Sequence, residues 1–139
     1  MRVNKKTKYG IEVLVHIAKA TSEDNMIQGR NVAEMLGINE PYFDQIMMTL
    51  RRSGWVKSVR GRKGGYILAC APGDINILDV IELFEGPVVL GNSKPSENAG
   101  YAAQGVWTDI AGYIKETLDG FTLQKVLDHE QSASMDYVI

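Results

Sequence analysis

One cysteine, Cys70, is all that the 139 residues contain. A single thiol excludes an intrachain disulfide and any metal site built only from one chain's cysteines. It suits a reducing compartment, and the cytoplasm is the expected location. Histidine is nearly as scarce, with His16 and His129 alone. No apolar run approaches the roughly 18 residues that would span a bilayer, so no membrane partner is expected. The first ten residues, MRVNKKTKYG, lack the apolar core and cleavage site of a secretory signal. No Ser/His/Asp set or activated nucleophile is present, and the expectation is that the chain is not an enzyme.

Each half of the chain is short of charge of one sign. Residues 1–66 carry 12 Lys and Arg against 6 Asp and Glu, whereas residues 67–139 carry 3 against 11. The overall net charge of −2 conceals this division. A basic N-terminal half joined to an acidic C-terminal half suggests a polyanion-binding module attached to a part with another job.

Apolar periodicity divides the chain into short elements. In TKYGIEVLVHIAKA, Ile11, Leu14, Val15 and Ala18 recur at helical spacing, with Glu12, His16 and Lys19 on the other side. A short helix is expected over Gly29 to Leu36, stopped by Gly37. Asn39 and Pro41 fit the cap and first turn of a third helix reaching about Ser53, with Tyr42, Phe43, Ile46, Met47 and Leu50 as its apolar stripe. WVKSV and YILA then read as a β-hairpin around a basic glycine loop. Helix, helix, turn, helix and hairpin make a winged helix-turn-helix.

Further on, NILDVIELFEGP reads as a helix capped by Asn76, and residues 87–103 as a loop. A longer helix is expected from Gln104 to Leu118, with Trp107, Ile110, Ala111, Ile114 and Leu118 as its stripe. Thr122 would cap a last short helix, and the tail after His129 is expected to fray. The fold class is thus mainly α with a small β-hairpin wing. Residues 1–86 are expected to form the winged helix-turn-helix domain and 104–139 a separate helical element.

The loop VRGRKGGY bears most on function. A phosphate-binding P-loop needs GxxxxGK[ST] between a strand and a helix. Here the glycines lie between two strands, and no Ser or Thr follows Lys63. A hairpin wing fits better, since glycines admit a DNA backbone while Arg60, Arg62 and Lys63 neutralise phosphates. Arg60 is the candidate for the narrow minor groove. On the third helix, Pro41, Asp44, Gln45, Met48 and Arg52 lie away from the apolar stripe, on the face such a helix presents to the major groove. Gln45 can contact adenine through two hydrogen bonds, and Asp44 can accept from the cytosine amine. Arg51 and Arg52 suit phosphates. Lys5, Lys6 and Lys8, read as preceding the first helix, suit phosphates together with Tyr9.

The segments TKYGIEVLVHIA, NVAEMLGINEPYFDQIMMTLRRSGWVKSVRGRKGGYILA and INILDVIELFEG, followed by VWTDI and TLQKVL, closely resemble the Rrf-type (IscR/NsrR/CymR-like) family of bacterial winged-helix transcription regulators. The resemblance implies a homodimeric repressor or activator whose long C-terminal helix packs on its partner's. It also implies double-stranded DNA as ligand, read by the third helix from Tyr42 and by the wing from Ser58 through Arg60, Gly61 and Gly64. Cluster-bearing members place three cysteines in the loop before the long helix. This chain has none there, so no cofactor is expected. Asp44 stands where a glutamate is usual, one methylene longer. A redox or metal sensor using Cys70 or His16, a winged-helix module that binds proteins, and an unknown effector or co-regulator protein stay open.

Overall fold

The computed structural model describes residues 2–88 and 101–136. Three asparagines start three of its helices. Asn4 opens α1 (Lys5–Ser22), its side chain accepting from the Lys6 N–H at 2.9 Å. After α2 (Gly29–Leu36), Asn39 opens α3 (Glu40–Ser53) by accepting from the Tyr42 N–H at 2.8 Å. Asn76 opens α4 (Ile77–Glu85) by accepting from the Leu78 N–H at 3.0 Å. Each cap satisfies a helix N–H that has no intrahelical partner. The stops at Gly37 and Gly54 are left-handed, with φ of 67° and 84°.

Between α3 and α4 lies an antiparallel hairpin of β1 (Val56–Val59) and β2 (Gly65–Leu68), in which Val56 faces Leu68 and Val59 faces Gly65. The hairpin is not free-standing. Ile27, in the turn between α1 and α2, pairs with Tyr66: its N–H donates to the Tyr66 carbonyl at 3.3 Å and its carbonyl accepts from the Tyr66 N–H at 2.9 Å. The Thr21 hydroxyl adds a second tie, donating to the Ile17 carbonyl and accepting from the Leu68 N–H at 3.1 Å. The wing is thereby fastened to the helix-turn-helix at its root.

Gly65 makes that fastening possible. A Cβ on residue 65 would lie 2.6 Å from the Ile27 carbonyl oxygen, a backbone atom that cannot rotate away. Gly65→Ala is therefore expected to lower stability by about 1–3 kcal/mol, the usual cost of forced overpacking. Thermal unfolding measures this, and an unchanged Tm would show that the Ile27–Tyr66 pairing contributes nothing.

The core gathers on α1. Val13, Leu14, Val15, Ile17 and Ala18 are buried against Val32 and Ala33 of α2, Phe43, Ile46, Met47 and Leu50 of α3, Val56 and Leu68 of the hairpin, and Ile77 and Val80 of α4. A 3-10 turn, Pro72–Asp74, leads to the wholly buried Ile75. The carbonyl of Ile75 accepts from the Leu123 N–H at 2.8 Å, fixing the start of the last helix, α6 (Leu123–Asp136), which buries Leu123 in the same core. The preceding helix, α5 (Tyr101–Leu118), packs on α4.

Three boundaries differ from the sequence reading. Helix α1 begins at Lys5, so the lysines lie in its first turns rather than ahead of it. Helix α5 starts at Tyr101, so residues 101–103 of the expected loop are helical, and the span 89–100 lies outside the described residues. Helix α6 is 14 residues long and continues past His129 to Asp136. A Lys19–Glu130 ion pair joins it to α1 beyond the expected fraying point.

Candidate nucleic-acid interface

Helix α3 buries one face and offers the other. Phe43, Ile46, Met47 and Leu50 point into the core, while Pro41, Asp44, Gln45, Met48, Arg51 and Arg52 are exposed. The helical repeat alone sorts them so. At the start of α3, Tyr42 is half-buried and meets Tyr9 of α1 edge to face, with ring centroids 5.9 Å apart and planes at 85°. That contact brings the first turns of α1, carrying exposed Lys5 and Lys8, beside the first turn of α3.

The wing supplies a second group. Ser58, Arg60, Gly61, Arg62 and Lys63 are exposed and Gly64 is half-buried. The tip turns at Gly61, whose φ of 129° strongly favours glycine, and closes through the Gly64 N–H donating to the Gly61 carbonyl at 2.9 Å. A Cβ on Gly64 would sit 2.2 Å from the Val59 carbonyl oxygen. The two glycines thus hold the tip tight while three cations project from it.

A cleft of 420 Å³ lies beside the start of α3, lined by Gly29 and Arg30 of α2, Glu40, Phe43 and Asp44 of α3, and Tyr66 of β2. The tip itself overhangs a second cleft of 520 Å³, where Arg62, Lys63 and Gly64 face Gln28 and Asn31. The start of α2 therefore lies between the exposed face of α3 and the wing. Among the described residues, Arg51, Arg52, Lys57, Arg60, Arg62 and Lys63 have no carboxylate within ion-pair distance. An unpaired cation keeps its full attraction for phosphate.

Arg30 escaped the sequence reading. It opens α2 beside the cleft, 3.8 Å from Glu34 and 3.9 Å from Glu40. Only the packing of α2 beside α3 and β2 brings it to this cleft.

Cys70 takes no part in this surface. It is half-buried against the core, and burial, then the negative charge of Asp74, raise its thiol above the ordinary value. A raised pKa leaves less thiolate at neutral pH, opposite to what a reactive cysteine needs. The cations of the wing do not reverse that shift. Glu12 and His16 gain no third ligand, as no group of three or more His, Cys, Asp or Glu among the described residues could hold a metal ion.

Comparison with known proteins agrees with this geometry. Residues 3–129 match the model of the family described as Rrf2, iron-dependent transcriptional regulator. The chain is 33% identical to the HTH-type transcriptional regulator CymR of Bacillus subtilis, over 99% of this chain and 100% of that protein. The solved structure of that CymR, titled the global cysteine regulator, superposes with a TM-score of 0.80 at 30% identity, covering 93% of this chain and 98% of the other. T. potens IscR superposes with a TM-score of 0.77 at 34% identity, covering 96% and 90%. The family description names iron, yet a cysteine-held cluster needs several thiolates. This chain has one, packed against the core, so its residues do not fit such a cluster. With a winged helix-turn-helix, an exposed third helix, a cationic wing and these matches over nearly its whole length, the chain belongs to the Rrf2 family of DNA-binding transcription regulators.

Proposed function

We propose that the protein is a cytoplasmic repressor that binds a pseudo-palindromic operator as a homodimer, without an iron–sulfur cluster. The observation that carries this reading is the row of unpaired wing cations beside an exposed α3 face whose middle bears no positive charge. Cations at the edge and neutral or acidic groups at the centre suit phosphate contacts flanking base contacts. Two α3 helices would enter major grooves about 34–36 Å apart, or a multiple of that, with wings in the flanking minor grooves. Blocking a promoter follows directly from such occupancy.

The dimer reading rests on α5. Its outward side carries Val106, Trp107 and Tyr113, exposed by 54%, 48% and 64%, alongside the half-buried Ile110, Ala111, Ile114 and Leu118. A contiguous apolar stripe of this kind marks an interaction surface, and a two-fold axis lets the same stripe serve both copies.

Selection of sheared genomic DNA by the purified protein at two salt concentrations tests the proposal. Enriched fragments sharing an inverted repeat are expected, and uniform salt-sensitive recovery would reduce the protein to a non-specific binder. Within an operator so found, Gln45→Ala is expected to relax preference at one base step by about 1–3 kcal/mol. Competition binding with single-base variants reads this directly. Equal losses on operator and random DNA would remove Gln45 from base reading.

A further inference from the structure

Met48 is 46% exposed on α3, while its neighbour Met47, on the opposite face, is 1% exposed and packed in the core. It follows Asp44 by four residues and Gln45 by three, so the three side chains share one strip of the helix surface. Arg51 and Arg52 come three and four residues later, so Met48 lies between the polar N-terminal turns and the cations. Thr49 beside it donates its hydroxyl to the Gln45 carbonyl at 3.2 Å and offers no free donor. The exposed middle of the reading helix is therefore an acid, an amide and a thioether.

Met48 lies outside the hydrophobic core and the side chains packed against it. It buries nothing in the core, and an ordinary helix-forming polar residue would hold the helix as well. On a DNA-reading face it has one chemical counterpart. Base edges in the major groove present hydrogen-bond donors and acceptors, and a single apolar group, the 5-methyl of thymine. We propose that Met48 is a specificity residue that packs on a thymine methyl in each half-site, one step along the groove from the bases facing Asp44 and Gln45. The proposal rests on the reading of α3 as the major-groove helix. An unbranched, polarisable thioether can settle on a methyl whose exact position varies with local groove shape. Asp44 strengthens the placement, since its charge keeps this strip away from phosphates and directed at base edges.

The test uses the full-length protein and the operator recovered by selection. Each thymine is replaced in both half-sites together by deoxyuridine, which deletes the methyl and leaves base pairing intact. The wild-type protein is expected to lose affinity at one symmetric pair of positions, by roughly threefold to fivefold per half-site, the scale of one buried methyl. Met48→Ala should bind the thymine and deoxyuridine forms of that pair equally, with an unchanged Tm, whereas Met48→Leu should retain the discrimination. Indifference of the wild type to every replacement would overturn the proposal, and so would an undiminished deoxyuridine penalty in Met48→Ala. Failure to enrich any shared sequence would instead overturn the specific-regulator reading, and the thymine contact with it.

Discussion

Arg60→Ala is expected to weaken operator binding by about tenfold to a hundredfold per half-site, the scale of a hydrogen bond to a charged group. Arg60 leaves β1 at the wing tip, exposed and without an ion-pair partner among the described residues, so the side chain supports nothing inside the protein. Its removal should leave the Tm unchanged and act on binding alone. The wing is held at Tyr66 by Ile27 and turned by Gly61, so the arginine is presented from a fixed root. A planar guanidinium fits a narrow groove whose negative potential a lysine ammonium samples less well. Arg60→Lys should therefore recover only part of the affinity. Fluorescence anisotropy on a labelled operator at two salt concentrations makes the measurement. An affinity equal to wild type would take the wing out of the mechanism.

If α5 forms the proposed dimer, Trp107→Glu is expected to leave monomers at micromolar concentration and to abolish tight operator binding with the dimer. A fully buried tryptophan removes about 150–250 Å² from water, and Trp107, already half-covered in the single chain, would contribute about half of that from each copy. The substitution replaces this gain with two carboxylates facing one another across the axis. In the single chain Trp107 is 48% exposed on α5, so its loss should cost the monomer's fold little. Each monomer would keep one wing and one α3 but lose the link that makes the second half-site contact intramolecular. Sedimentation across a concentration series reports the assembly, and operator binding the consequence. A dimer that persists would place the interface elsewhere.

The winged helix-turn-helix half was largely legible because its signals are local. Asn39, Pro41 and Gly54 announce α3 through capping chemistry that depends on a few adjacent residues, and all three act as expected. The hairpin was visible for the same reason. What escaped depends on long-range packing or lacks an apolar period. The first turn of α1 is lysine-rich, so no hydrophobic pattern marked it, although Asn4 was in place as a cap. The later turns of α6 are polar for a similar reason and are helped by Glu130 reaching Lys19. The pairing of Ile27 with Tyr66 involves one residue on each side, too little for a periodic signal. Among candidate site residues, the exposed strip of α3 followed from helical geometry. The closeness of Arg30 to Asp44 did not, because it arises only when α2 and α3 pack.

The lysines in the first turns of α1 are set against the helix's own electrostatics. Lys5, Lys6 and Lys8 stand at the positive end of the helix dipole, and the first turn has no acid. The Glu85 carboxylate, accepting from the Asn4 N–H at 2.9 Å, brings one negative charge to that end. In the free protein the arrangement is self-repulsive, and a fold selected for stability alone would put acids there. A phosphate backbone along the same surface would neutralise cations and helix terminus together. DNA bound there would then relieve a repulsion that the free protein carries.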